Sequence, residues 1–87
     1  MQHLINAITQ CETTEQITTL FDNILTHKEK EDLDKRILIL HELIEAKQTQ
    51  REIAKSLNVS IFNVSRGANM LKEKGSSLRE IPPFKTK

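Results

Sequence analysis

Residues 50–69, QREIAKSLNVSIFNVSRGAN, constrain the fold of this chain more than any other stretch. Two short helices that cross near a right angle need apolar residues at the crossing, a small residue at the closest approach, and a turn between them. Ala54 is the small residue, Asn58 tolerates the left-handed backbone that ends a helix, and Ser60 can cap the next helix. The apolar residues are Ile53, Leu57, Val59 and Val64. The pattern therefore predicts a helix-turn-helix over residues 50–69.

The second helix of this pair carries side chains suited to a DNA major groove: Ile61, Phe62, Asn63, Ser65 and Arg66. An ordinary helical hairpin is the alternative, because chance matches to short motifs are common. Charge bears on the choice, since residues 1–48 hold five basic and nine acidic residues, a net charge of −4. Residues 49–87 hold eight basic and three acidic residues, a net charge of +5. A solvated surface can also carry uneven charge without binding DNA, but the coincidence of the basic half with the motif favours DNA.

Composition indicates one small domain with a thin core of its own. The chain has 87 residues, 37% of them hydrophobic, with three Phe, no Trp and no Tyr. Oligomerisation is therefore expected. Cys11 has no partner for an intrachain disulfide and the first residues show no signal pattern, so we expect a cytoplasmic protein. No apolar run approaches the roughly 20 residues that span a bilayer, so no membrane association is expected.

Helical periodicity recurs along the chain, without a useful alternating strand pattern. Residues 3–10 are predicted as a first helix, and Thr13 with Gln16 has capping-box spacing for a second. Thr26 with Glu29 has the same spacing for a third helix, which reaches about residue 46. Its apolar residues are Leu33, Ile37, Leu38, Ile39, Leu40, Leu43 and Ile44. They cover more of the helix than one small neighbour could bury, which indicates a helix buried between subunits.

Thr49 with Glu52 repeats the capping-box spacing at the start of the fourth helix. The fifth is predicted from 61 to 72 or 74, with Gly75 as a terminator. The Pro82-Pro83 pair argues against another long helix, although residues 78–81 could form one turn. We therefore expect one helical domain over residues 1–75 and a flexible, frayed basic tail over residues 76–87.

Catalytic and metal chemistry find no support in the residue pattern. His3, His27 and His41, with Cys11, are scattered without metal-ligand spacing. Two glycines cannot build a glycine-rich phosphate loop, and no Ser, His and acid arrangement singles itself out. We expect no metal, no cofactor and no enzymatic activity.

Three segments between residues 23 and 72 are specific: ILT at 24–26, EKEDLDKRILILHELIEAKQTQREIAKSL, and above all SRGANMLK at 65–72. They give residues 23–72 a resemblance to the tryptophan operon repressor family of bacteria, in one register and without gaps. It implies an all-α fold in which a helix-turn-helix DNA-binding domain belongs to an intertwined homodimer. The long third helix would lie in the shared core, with two reading heads outside.

The resemblance also implies that L-tryptophan binds as a corepressor. Arg36 and Arg66 would sandwich the indole ring, which is physically sensible because flat aromatic groups stack on guanidinium planes. Arg66 would also bind the carboxylate. For each arginine a plainer alternative is open: Arg36 follows an acidic run and could form surface ion pairs, and Arg66 could bind phosphate.

Further residues are assigned to this ligand by the resemblance. Thr26 would assist at the carboxylate, and backbone carbonyls around Asn23 and Leu25 would receive the ammonium group. Gly67 would leave room for the ring; a glycine inside a helix costs roughly 1 kcal/mol relative to alanine and needs a reason such as close approach. Met70 stands where better-known relatives have a small hydroxyl residue, which could narrow the pocket.

The DNA contacts implied by the resemblance are Thr49, Gln50, Arg51, Ile61, Phe62, Asn63, Ser65 and Lys72. Family members rely heavily on water-bridged base contacts, so the operator sequence cannot be read from these residues. The expected function is a repressor of tryptophan metabolism or uptake genes that acts on double-stranded operator DNA. The alternatives are a related regulator with another ligand or none, and a helical protein-interaction module.

Overall fold

A computed structural model describes residues 1–74 and 77–85. In this part of the chain the regular structure is helical, with no strand: α1 is Gln2–Gln10, α2 Thr14–Ile24, α3 His27–Glu45, α4 Gln50–Leu57 and α5 Ile61–Lys74, followed by a 3-10 helix at Ser77–Glu80. The predicted all-α class is confirmed. The contacts define two compact units, residues 1–32 and 33–87, with the boundary inside α3.

The first unit contains α1, α2 and the start of α3. The Thr13 hydroxyl accepts from the backbone N–H of Gln16 at 3.1 Å, as the predicted capping box requires. The returning bond differs, because Gln16 Oε1 accepts from the N–H of Glu12 at 2.6 Å and not from Thr13. One polar side chain links α2 to α3, where Lys30 Nζ lies 2.6 Å from Asp22 Oδ1.

The ends of α3 agree with the sequence-based prediction. The Thr26 hydroxyl accepts from the N–H of Glu29 at 3.1 Å, and Glu29 accepts from the N–H of Thr26 at 2.8 Å. The backbone N–H of Thr26, and then its hydroxyl, hold the pKa of Glu29 below its ordinary value. The helix ends at Glu45, and Ala46 turns the chain with a left-handed φ of 57°.

The second unit is built around the crossing of α4 and α5. Its core cluster contains Ile39, Ile53, Ala54 and Val64, with Leu43, Leu57 and Val59 packed against it. Ile53 and Val64 have no exposed surface, as expected for residues at a helix crossing. Of the apolar residues predicted at the crossing, Ile53 and Val64 are confirmed as buried core residues, whereas Leu57 and Val59 are half-buried against them. A segment of α3 completes the cluster.

The turn between α4 and α5 occupies residues 58–60. Asn58 adopts the predicted left-handed conformation, with φ 55° and ψ 49°, and ends α4. The N–H of Val59 donates to the carbonyl of Ala54 at 3.0 Å. The Ser60 hydroxyl accepts from the N–H of Asn63 at 3.1 Å and so caps α5 as predicted. Local hydrogen bonding thus fixes where α4 stops and where α5 begins.

The segment after α5 differs from the expected frayed tail. Gly75, the predicted terminator, lies outside the described residues. The 3-10 helix supplies the single turn expected near 78–81. Phe84 is buried, and its ring centroid lies 4.4 Å from that of His41 on α3. Residues 77–85 therefore pack within the second unit, because an aromatic ring is stabilised by leaving water. Across the described residues, no helix is both long and apolar enough to cross a bilayer.

Candidate nucleic-acid interface and ligand site

α5 has an inner and an outer face. Val64, Gly67, Ala68 and Leu71 recur at helical spacing and are buried or half-buried. The outer face contains most of the residues predicted on this helix to contact DNA or ligand: Ile61, Phe62, Asn63, Arg66, Met70 and Lys72. Because the inner face is fixed in the core, the orientation of these exposed side chains is set by the packing of α5.

A hydrogen bond joins the two helices at this surface. The Ser65 hydroxyl donates to Gln50 Oε1 at 2.9 Å, linking the middle of α5 to the first residue of α4. Both residues were predicted as separate DNA contacts, and the bond between them was not foreseen. It occupies the carbonyl end of the Gln50 side chain and leaves the amide NH₂ as a donor. Gln50 therefore suits an acceptor, such as a phosphate or a purine N7.

The start of α4 is held by a complete capping box. Thr49 accepts from the N–H of Glu52 at 3.2 Å, and Glu52 accepts from the N–H of Thr49 at 2.8 Å. The backbone N–H of Thr49, and then its hydroxyl, lower the pKa of Glu52 below the ordinary value. Arg51 lies between these residues, exposed and without an ion pair to any described residue. Its guanidinium is therefore available to an external anion.

Gly67 marks the closest approach of α5 to α3. A Cβ built at Gly67 would lie 3.2 Å from Ile39 Cγ2 and 3.2 Å from Leu43 Cδ1, tighter than ordinary contact. This packing accounts for the glycine without a ligand, because the space beside its Cα is already filled by two side chains. The assignment of Gly67 to a tryptophan ring stays a prediction.

Arg36 and Arg66 both lie near this crossing. Arg66 precedes Gly67, and Arg36 is three residues before Ile39, about 5 Å along the helix axis. Both side chains are exposed, and within the described residues neither forms an ion pair. The surface ion pairs considered for Arg36 are therefore not observed. Met70, one turn beyond Arg66, is 52% exposed.

The other two predicted ligand residues lie in the first unit. Leu25 ends α2, and its N–H donates to the carbonyl of Phe21 at 3.0 Å. Thr26 caps α3, and its hydroxyl keeps a hydrogen for donation while its oxygen accepts from Glu29. Among the described residues, no cluster of three or more His, Cys, Asp or Glu side chains could hold a metal ion.

Comparison with known proteins decides the family. The model of the family described as Trp repressor protein matches residues 1–81. The chain belongs to the Trp repressor family. The resemblance seen in the motifs is thus confirmed, and it assigns the chain to a family of transcription regulators.

Individual relatives extend this assignment. A Trp operon repressor homolog of Xylella fastidiosa (strain M23) is 39% identical over 70 residues, which are 80% of this chain and 76% of that protein. The Vibrio cholerae protein of the same description is 34% identical over 73 residues, covering 84% of this chain and 71% of the relative. That of Vibrio parahaemolyticus is 32% identical over 79 residues, covering 91% and 77%.

Proposed function

We propose that this chain is a DNA-binding transcriptional repressor that takes L-tryptophan as corepressor and then binds an operator controlling tryptophan biosynthesis or uptake genes. The observation that carries the proposal is the outer face of α5. It presents Ile61, Phe62 and Asn63 to solvent while Val64 anchors the same turn in the core. Family membership supplies the regulatory class. In this proposal α4 and α5 form a helix-turn-helix, with α5 as the recognition helix.

Charge at this surface supports DNA as the partner. Arg51 and Lys72 are exposed, and within the described residues no carboxylate lies in ion-pair range of either. Such side chains can neutralise phosphates and release counterions, which makes binding fall steeply with salt. Gln50, whose Oε1 accepts from the Ser65 hydroxyl, keeps its amide NH₂ as a neutral donor at the start of α4. Phosphate contacts from these residues would place α5 in the groove.

The arginines near the crossing support an aromatic amino acid as the ligand. An indole ring stacks on a guanidinium plane, and Arg66 can also form a bidentate pair with a carboxylate. Arg36 and Arg66 lie on two helices that pack directly at Gly67. A ligand bound between these side chains would fix the angle of α5 relative to α3. The ligand would thereby orient the outer face of α5 toward the DNA without contacting the bases itself.

A regulator with another ligand or none is the second candidate within this class. The close contact of Gly67 with Ile39 and Leu43 favours it, because that glycine then needs no ligand. The exposed thioether of Met70 on the Arg66 face also differs from the small hydroxyl residue of better-known relatives. The third candidate is a helical interaction module whose basic face binds an acidic protein.

One titration series tests these alternatives. The full chain is added to labelled palindromic duplexes and scrambled duplexes at physiological salt, with and without L-tryptophan, and binding is read by fluorescence anisotropy. The proposal expects tryptophan-dependent preference for a palindrome with half-sites roughly 34 Å apart. Preference without tryptophan dependence supports the second candidate, and no preference for any duplex supports the third.

Two variants and a matched control make the series sharper. Arg51→Ala and Asn63→Ala should weaken palindrome binding and leave tryptophan affinity, measured by calorimetry, unchanged. Lys28→Ala removes an exposed positive charge in the first unit, where Lys28 pairs with Asp32. It should bind like the wild type. Equal losses in Arg51→Ala and Lys28→Ala, with no loss in Asn63→Ala, would indicate that binding follows net charge and not the α4 and α5 surface.

A further inference from the structure

The first turn of α5 exposes two large apolar side chains side by side. Ile61 is 48% exposed and Phe62 is 66% exposed, although neither helps to build the core cluster. Contiguous exposed apolar side chains rimmed by polar residues mark binding surfaces. Asn63 follows them on the same turn, and Gln50 lies at the start of the neighbouring helix. This pair is therefore a candidate contact with whatever lies against the amino-terminal end of α5.

We propose that Phe62, flanked by Ile61, recognises the 5-methyl group of thymine and so makes the operator specificity of this chain partly apolar. The inference rests on the proposed function. The amino-terminal residues of a recognition helix face the base edges of the major groove. There, the thymine methyl is the apolar group that a base edge presents, beside hydrogen-bond donors and acceptors. A phenyl ring over any other edge would cover a polar group without pairing it.

The surroundings favour DNA over an apolar protein partner for this pair. Residues 49–87 carry a net charge of +5, and Arg51 is exposed and unpaired within the described residues. Asn63, the next residue, has the donor and acceptor pair that matches the N6 and N7 edge of adenine. Neighbouring side chains are thus complementary to the two halves of A·T pairs. The preferred half-site should contain thymine under Phe62.

The test removes one methyl group at a time. A duplex is first selected from a randomised pool with the full-length protein and L-tryptophan. Each thymine of the selected duplex is then replaced by deoxyuracil, which lacks the 5-methyl and keeps the hydrogen-bonding edge. We expect one position in each half-site at which this change weakens binding about fourfold, the value of one buried methyl-sized group. The same change should be without effect in Phe62→Ala.

The control variants separate this readout from other causes. Phe62→Leu keeps an apolar side chain and should stay sensitive to deoxyuracil, and Ile81→Ala, which trims a residue 49% exposed beyond α5, should behave as wild type. If no deoxyuracil position matters, or Phe62→Ala is as sensitive as wild type, the thymine readout is wrong while operator binding stands. If selection enriches no duplex, the proposed function fails, and the readout fails with it.

Discussion

The hydrogen bond from Ser65 to Gln50 joins two residues predicted to touch DNA. If Ser65 acts through Gln50, its hydroxyl is a positioning group that holds the amide NH₂ of Gln50 toward an acceptor. Without the bond, the Gln50 side chain would sample rotamers that point the NH₂ elsewhere. The two roles of Ser65, direct contact and positioning, make different predictions for a double mutant.

We expect Ser65→Ala to lower operator affinity about fivefold, the value of one hydrogen bond of average strength. Ser65→Thr keeps the hydroxyl and should bind like wild type. In a Gln50→Ala background, Ser65→Ala should have no further effect, and anisotropy titrations of the four proteins measure this coupling. Additive losses would contradict positioning and favour a direct contact of Ser65 with DNA.

Gly67 sets how closely α5 packs on α3. Gly67→Ala gains roughly 1 kcal/mol of helix propensity, but its methyl group would meet Ile39 and Leu43 at 3.2 Å. Overpacking costs about 1–3 kcal/mol, so we expect a net loss of up to about 2 kcal/mol in the free energy of unfolding, measured in urea. Asn69→Ala, at an exposed position of the same helix, gains propensity alone and should be more stable. A Gly67→Ala variant that is more stable than the wild type would show that the Ile39 and Leu43 side chains shift at little cost to accommodate the methyl group.

At the scale of single residues, the sequence predicts that a glycine inside α5 has a specific cause, such as a close approach, and that Arg66 lies beside it. It cannot identify Ile39 and Leu43 as the neighbours, because contacts between distant segments depend on how the helices cross. Local features are more accessible. The left-handed Asn58 and the caps at Ser60 and Thr49 follow from residue type and spacing, since their partners lie within three or four positions.

The capping box of α4 makes the stability of that helix depend on pH. Glu52 accepts hydrogen bonds in its ionised form, and its pKa is lowered by the backbone N–H and hydroxyl of Thr49. The contribution of Glu52 to the free energy of unfolding is therefore complete above its pKa in the unfolded chain. It disappears as the pH falls through the lower pKa of Glu52 in the folded protein. We expect wild-type stability to drop more steeply below about pH 5 than that of Glu52→Gln, which can still accept but does not titrate.

Urea denaturation at a series of pH values measures this difference. Thr49→Ala, which removes the other half of the box, should cost about 1 kcal/mol at neutral pH. Glu29 forms the equivalent box on α3 and stays intact in both variants, so part of the acid sensitivity should persist. Parallel pH curves for wild type and Glu52→Gln would contradict a role of this carboxylate in acid stability.

Helix positions and most caps were accessible from sequence because they depend on short spacings. The second half of the Thr13 box was not, since Gln16 reaches Glu12 and not Thr13. The packing of the segment after α5 was not accessible either, because its prolines and serines indicate only where the backbone turns. Burial of Phe84 against His41 depends on a residue of α3 far away in sequence.

At the scale of the whole molecule, α3 exposes much apolar surface in a single chain. Leu33, Ile37 and Leu38 are 43%, 44% and 43% exposed. A second chain that covers these side chains would remove their apolar surface from water and so stabilise a dimer. We therefore expect a dimer whose melting temperature rises with protein concentration. Sedimentation at micromolar concentration measures the state. Ile37→Glu should weaken association, whereas Lys35→Glu, which also adds a carboxylate to α3, should not. A fully folded wild-type monomer would contradict the intertwined dimer.

The proposed tryptophan site and the proposed DNA-contacting outer face of α5 lie on the same helix. Arg66 and Gly67 lie one to two turns from Ile61 and Phe62 on the same helix. A ligand that fixes how α5 packs would shift one equilibrium of the reading head, and operator DNA would shift the same equilibrium. Two ligands that bias one equilibrium must be coupled, and the coupling is reciprocal.

We therefore expect operator DNA to raise tryptophan affinity by the same factor by which tryptophan raises operator affinity, with calorimetry and anisotropy measuring the two arms. Saturating tryptophan at a hundredfold excess over its dissociation constant should also stabilise the fold by roughly 2.7 kcal/mol. Arg36→Ala and Arg66→Ala should lose this stabilisation, because each removes a guanidinium plane from the proposed site. Lys28→Ala, which removes an exposed positive charge paired with Asp32 on α3, should keep it. Tryptophan that leaves both the melting temperature and operator affinity of the wild type unchanged would rule out the corepressor role, and the regulator with another ligand or none would replace it.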